Sequence, residues 1–345
     1  MIKSLIMVFI VLLFGCSSSD SSSLDSNKIG DIQEKNQDKI APISPEEMVG
    51  RMGIGVDSTW SEVPKKIANY TTEDTEAFAQ KGFKHIRLRV AEDNASKMWS
   101  YLDKEIQDAL DNNMIPIIAN QSATFKDNPT PEHQAQWVAW WAEVAKHYKD
   151  APYELMFDLI VEVAGKSHLS DEPINQLNMA YEEAVNAIRS EGGHNDKRII
   201  IISAHRRSDP KKMEMLKIPS KGNGYIIGEF HEGYASGPSK DPTSSHYYID
   251  GSESQLQQIE ERVKSAVAWR EKMGIPIWEG AWMPGNYNKG DDYSIEEQKK
   301  FAHDFIGILN KYNIPHAINA TKKFYDIEYK SWNELEEVVD YIFSL

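Results

Sequence analysis

Short apolar runs rich in Ile and Val alternate along this chain with longer stretches whose apolar residues recur at helical spacing. Runs of about four to eight such residues bounded by turn-formers read as buried strands, and the longer amphipathic stretches as helices. Eight strands are predicted: Met52 to Val56, His85 to Val90, Met114 to Asn120, Leu155 to Glu162, Arg198 to Ser203, Gly224 to His231, Ile275 to Gly280 and Ile314 to Asn319. The helices predicted between and after them are Thr72 to Lys81, Ser100 to Asn112, Pro131 to Tyr148, Ile174 to Ser190, Pro210 to Leu216, Gln255 to Met273, Ile295 to Tyr312 and Trp332 to Ile342. Ser294 with Glu297 reads as a capping box, and Thr130 before Pro131 as a helix start. Strict alternation of strand and helix over roughly three hundred residues fits a single α/β domain, a (β/α)8 TIM barrel. A dinucleotide-binding open sheet is disfavoured, because "GIGVDSTW" supplies Gly53 and Gly55 but no third glycine.

The N-terminal residues follow a different pattern. A basic start at Lys3 leads into "LIMVFIVLLFG", Leu5 to Gly15, which is too short to span a bilayer, and Cys16 follows. Leu13-Phe14-Gly15-Cys16 resembles a bacterial lipobox, so residues 1–16 are expected to be a lipoprotein signal peptide ending in the lipidation cysteine. Residues 17–44 are polar and too poor in large apolar side chains to fold alone, which makes them a tether to a barrel domain at 45–345. The expected setting is bacterial and extracytoplasmic, with membrane contact only through the lipid and the choice of membrane face open. Cys16 is the only cysteine, so no intrachain disulfide forms.

A formal charge of −15 without any basic block argues against a nucleic-acid partner. A monomer is expected. Asp291, Asp292 and the scattered histidines lack metal-ligand spacing, so no metal and no cofactor is expected, and no G-x-S-x-G elbow is present.

Chemistry in such a barrel sits where strands hand over to the following loops. By the predicted boundaries Glu162 ends the fourth strand and Glu279 the seventh, and two carboxylates at one barrel face are what glycoside hydrolysis needs. A carboxylate closing an apolar run is partly desolvated, which should raise its pKa and suit it to donate a proton. His85, Arg87 and Arg89 alternate along one strand and share a face. Trp282 is the first candidate for stacking on a sugar, followed by Tyr247 and Tyr248, whereas the tryptophans of "WVAWWAEV" have helical spacing and read as packing.

These segments resemble glycoside hydrolase family 5, the cellulase-like barrel glycosidases, over nearly the whole 45–345 region. "KGFKHIRLRV" resembles the family's second strand and implies an active-site arginine at Arg87, which would hold the nucleophile ionised. "HYKDAPYELMFDLIVEVAG" implies the acid/base at Glu162. "NGYIIGEFHEGYASGP" implies His231 and Tyr234 as substrate-binding residues, and "REKMGIPIWEGAW" implies the nucleophile at Glu279. The departures are Val161 where the family has an asparagine that contacts the sugar 2-hydroxyl, Val163 for a proline, and Gln121 and Ser122 for a histidine pair. The eighth strand lacks its tryptophan platform and offers His316 and Asn319. Asn120, Gln121 and Asn319 are candidates to replace the lost amide contact. His205, Arg206 and Arg207 are candidates to line the cleft. Arg89 reads as a buried salt bridge or, alternatively, as a partner for an acidic sugar.

The resemblance implies a retaining endo-glycosidase acting on a β-linked polysaccharide. Glucan, mannan, xyloglucan and acidic polysaccharides all remain open. The alternative is a surface lipoprotein that binds glycan with little or no turnover.

Overall fold

The computed structural model describes residues 41–163, 172–231, 234–287 and 293–345. Cys16, the signal segment, most of the expected tether, and Asp291 and Asp292 lie outside them. Eight parallel strands pair in sequence order and β8 closes back on β1, forming the (β/α)8 barrel. They are β1 (Ile54–Ser58), β2 (His85–Val90), β3 (Ile115–Asn120), β4 (Met156–Asp158), β5 (Ile200–Ser203), β6 (Ile226–Phe230), β7 (Ile277–Trp282) and β8 (His316–Ile318). The long helices are α1 (Pro45–Met52), α2 (Thr72–Lys81), α3 (Trp99–Asp111), α4 (Pro131–His147), α5 (Glu172–Ser190), α6 (Glu253–Met273), α7 (Ile295–Lys311) and α8 (Glu336–Ser344). No helix among the described residues is long and apolar enough to cross a membrane.

Local sequence explains several starts and stops. Ser294 and Glu297 form the expected capping box at α7, Thr71 and Asp74 form another at α2, and Gly274 ends α6 in the left-handed region. The helix expected after the fifth strand is instead a 3-10 turn, Pro210–Met215. Helix α1 is absent from the sequence-based expectation. It begins inside the compact unit Ala41–Leu345, with Ile43 buried and the Ser44 hydroxyl accepting from the Glu47 N–H.

Strand alternation sorts the side chains into two layers. Val56, Ile86, Leu88, Phe157, Ile202 and Phe230 pack outward under the helices. Ile115, Ile117, Met156, Ile199, Ile201, Ile227, Trp278 and Ala317 point into the barrel, where Met48 and Met52 of α1 close its floor. His85 also faces inward at this level, its Nδ1 at 2.8 Å from the Met52 carbonyl. Gly55 makes room for that ring, since a Cβ there would lie 2.1 Å from it.

The fourth strand is shorter than expected. Leu159 and Val161 still donate to Ile201 O at 3.1 Å and Asn120 O at 2.9 Å, but Glu162 adopts φ 57° and turns the chain away. Glu162 therefore stands in the loop four positions beyond Asp158 rather than on the strand.

Candidate active site

One step above the apolar floor the barrel interior becomes ionic. Arg87 of β2 is fully buried and its guanidinium makes a bidentate pair with Asp57 of β1, both bonds 2.8 Å. Its Nη1 donates to Asp158 of β4 at 3.1 Å and to Glu229 of β6. The guanidinium carbon lies 5.0 Å from the Trp278 ring centre. Burial alone would lower the pKa of Arg87, but the carboxylates raise it well above its ordinary value. Burial and the charge of Glu229 push the Asp158 carboxyl well above its ordinary pKa, against the pull of Arg87. Burial also opposes the charge on Glu229, yet Arg87 and His231 hold that carboxyl below its ordinary pKa.

The cluster reaches the barrel mouth through His231. Its Nε2 lies 2.8 Å from Glu229 Oε1 and its Nδ1 3.0 Å from Glu162 Oε1. The imidazole is buried, whereas Glu162 keeps 25% of its side chain exposed. Burial would lower the pKa of His231, but the charge of Glu229 and the bonds to both carboxylates raise it to about 10.

Glu162 departs from the sequence-based expectation. Burial does push its carboxyl up, but the His231 bond and charge, with Lys126 and Arg207 nearby, outweigh it and hold the pKa at about 2. The resting group is an anion beside an imidazolium. Its left-handed backbone costs about 1–2 kcal/mol for a residue with a Cβ. Flanking bonds hold it there: Val161 N–H to Asn120 O, and Arg207 N–H to Val163 O at 2.9 Å.

The remaining candidates separate. Arg87 holds Asp57, Asp158 and Glu229 rather than Glu279. Glu279 pairs in register with Phe230 and His316, between the inward-facing Trp278 and Gly280. A Cβ at Gly280 would lie 1.8 Å from Glu229 Oε1, which fixes that residue as inward-facing. By alternation the Glu279 side chain leaves on the opposite face, toward the helices, where it is buried and engaged with a partner.

Trp282 is no sugar platform. It is fully buried against Phe301 and Phe305 of α7, and its Nε1 donates to His316 Nδ1 at 3.0 Å. A register irregularity between Glu279 and Trp282 returns it to the outer layer. Tyr248 is likewise buried, donating to Asp304 at 2.6 Å.

Arg89 forms the salt-bridge alternative, with Glu62 at 2.9 Å and Asp57 at 3.4 Å, and donates to Asn319 Oδ1 at 3.3 Å. Asn319 in turn donates to Ala235 O at 2.8 Å, so its amide braces the mouth. Asn120 is buried, and its Oδ1 accepts from the Ser122 N–H at 3.2 Å. It lines a cleft of about 580 Å³ between α4 and the loops after β2 and β3. Gln121 has a buried Oε1 without a hydrogen-bond partner among the described residues. Tyr234 opens a 3-10 turn, and its side chain lies outside the described residues.

Asp57, Asp158 and Glu229 were missed as site residues. Each is an ionisable residue within an otherwise apolar buried run, and that was the available signal. Arg87 occupies the centre of their cluster, and no group of His, Cys, Asp or Glu among the described residues is arranged to hold a metal ion.

An eight-stranded barrel with carboxylates at and below its mouth is a scaffold for glycoside hydrolysis. The model of the cellulase family, glycosyl hydrolase family 5, matches residues 51–343, and the chain belongs to that family as a glycoside hydrolase. No curated protein sequence matches the chain. Among solved structures it is similar to endoglucanase Cel5A from the hyperthermophilic Thermotoga maritima, with TM-score 0.71 and 22% identity over 87% of this chain and 100% of that one. The same enzyme in complex with mannotriose gives 0.69 and 21% over 86% and 99%. A xyloglucan-specific endo-β-1,4-glucanase from a metagenomic library gives 0.70 and 17% over 86% and 98%. At these identities the likeness concerns the fold.

Proposed function

We propose that this protein is an endo-acting glycoside hydrolase for a β-linked polysaccharide, with Glu162 delivering a proton to the departing glycosidic oxygen and recovering it from water. The observation that carries the reading is the position of Glu162, partly exposed at the barrel mouth and bonded to His231 above the Arg87 cluster. Family membership and the endoglucanases and mannotriose complex among its structural neighbours support a β-linked glycan as substrate. The basic start, short apolar run and Gly15-Cys16 pair support an extracytoplasmic protein held by a lipid on Cys16.

A retaining double displacement also requires a nucleophilic carboxylate facing the sugar. Glu279 holds that place by resemblance, but strand alternation turns it toward the helices. That orientation favours a second reading, a glycan-binding lipoprotein with little turnover.

Product release from neutral and acidic β-linked polysaccharides, measured for the full chain and for Glu162→Gln and Glu279→Gln, separates them. Cleavage that Glu162→Gln reduces by about 10²-fold or more supports the hydrolase. Equal loss in a Glu279→Gln that melts like the wild type would bring that carboxylate into the reaction, and unchanged activity would leave it on the outer face. Binding to one polysaccharide with no product from any would establish the second reading.

A further inference from the structure

His231 presents each ring nitrogen to a carboxylate oxygen: Nδ1 to Glu162 at 3.0 Å and Nε2 to Glu229 at 2.8 Å. An ionised carboxylate only accepts, so a ring between two of them must carry a proton on each nitrogen. The two carboxylates are not equivalent. Glu229 is fully buried, its Oε1 also accepts from Arg87, and Gly280 leaves the room its carboxyl occupies. Glu162 opens to the mouth and can meet a substrate.

We propose that Glu229 is a positioning residue of the reaction: anchored by Arg87, it keeps His231 doubly protonated, so that the imidazolium is the proton store for Glu162. The proposal rests on the reading of Glu162 as the proton donor. In the step it implies, the proton on Nδ1 moves to Glu162 Oε1 and from there to the glycosidic oxygen. The bond from the anomeric carbon to that oxygen breaks with its electron pair on the leaving oxygen. His231 is then neutral, still donating from Nε2 to Glu229. Water supplies the oxygen that the anomeric carbon takes up, and its proton returns through Glu162 to Nδ1. Glu162 begins and ends as a carboxylate.

The groups around this line are Arg87 and Asp158 beside Glu229, and Lys126 and Arg207 beside Glu162. Glu229 is the carboxylate in contact with Nε2, whereas Asp158 bonds to Arg87. Lys126 and Arg207 favour the ionised Glu162 between turnovers, which is the form that accepts a proton from Nδ1.

The test is an imidazole titration by 15N NMR on the full chain, with the His231 signals assigned by comparison with His231→Gln. The expected wild-type ring is protonated on both nitrogens at pH 7 and stays so past pH 8. In Glu229→Gln, whose amide oxygen still accepts from Arg87, that titration should fall by about 1–3 pH units. The alkaline limb of kcat/KM should fall with it. Asp158→Asn keeps an oxygen for Arg87 and removes no contact to the ring, so it should move the His231 titration less than Glu229→Gln does.

A neutral His231 ring in the wild type at pH 7 would overturn the proposal even if Glu229→Gln failed to fold. So would a Glu229→Gln ring that titrates like the wild type. An activity limb that stays in place while the ring titration moves would also overturn it, since Glu229 would then set the ring's charge without serving the reaction. If no polysaccharide is cleaved, the hydrolase reading falls and the relay falls with it, while the ring titration still shows whether Glu229 fixes the charge of His231.

Discussion

The floor and the mouth of this barrel are built from the same strands, one inward-facing position apart, yet they rest on opposite physics. On β3 to β8 the lower inward positions carry Ile, Met, Trp and Ala, sealed by Met48 and Met52. Two residues further along β1, β4 and β6 stand Asp57, Asp158 and Glu229, gathered around Arg87. The floor is held by close packing, which is non-directional and tolerates exchange between side chains of similar volume. The mouth is held by directed bonds among buried charges, where losing one partner leaves another uncompensated. A barrel can therefore keep its fold through one layer while the other is arranged for chemistry.

The largest expected difference comes from removing the central cation. Arg87→Met leaves Asp57 and Glu229 buried without their guanidinium and should cost about 3–5 kcal/mol in urea unfolding. A loss under 1 kcal/mol would mean that the mouth is not held by this ion cluster. On the floor, Ile201→Ala removes a buried inward side chain and should cost about 2–5 kcal/mol as a cavity forms, while leaving substrate affinity unchanged. A changed KM would show the two layers to be coupled.

The pH dependence of stability sharpens the contrast further. Burial holds His85 at about pKa 4, and burial with the nearby His85 charge holds His316 at about 3. Both lie below the ordinary histidine value of 6.5, so their neutral forms contribute stability that is complete above about pH 6.5. It is lost as the pH falls toward 4, at roughly 1.4 kcal/mol per pH unit per group. His316→Gln should remove one share of that acid slope in thermal melts taken from pH 7 to 4. His231, raised to about 10, behaves oppositely: its contribution is complete below about pH 6.5 and is lost as the pH climbs through 10. Alkaline destabilisation thus reports on the mouth, while the slope between about pH 6.5 and 4.5 reports on the two lower histidines, because the depressed carboxyls of Glu162 and Glu229 add their own loss below about pH 4.5.

The smallest effect is expected at Trp282. Trp282→Phe loses the bond to His316 and should cost about 1 kcal/mol, with no change in glycan affinity, because the ring faces α7 rather than the cleft. A marked loss of affinity in a glycan titration would return Trp282 to the mouth.

Much of the architecture was legible before any coordinates. Helix α2 falls at the predicted residues Thr72–Lys81, and β2 at His85–Val90, because period and caps agree there. The predicted fourth strand runs past Asp158 because Leu159 to Val161 continue the apolar pattern and Leu159 and Val161 still bond to β5 and β3, whereas the backbone turns away only at Glu162. Arg87, His231 and Glu162, candidates read from the sequence, are brought together by the barrel through Glu229. What Arg87 holds was not, because its partners come from β1, β4 and β6, tens to more than a hundred residues away in sequence. Trp282 was misjudged for a local reason: the register irregularity after Glu279 moves the ring to the other face.

The sequence by itself determined the number and order of the units and the strand-end neighbourhoods in which chemistry would lie. Periodicity and capping are local properties that a linear pattern carries. Only the closed barrel decided which carboxylates meet Arg87, which face Glu279 takes, and that Glu162 meets His231 at the mouth. Those outcomes depend on burial and on charges a few ångströms apart across different strands, and one residue of register is enough to move a side chain from one layer to the other.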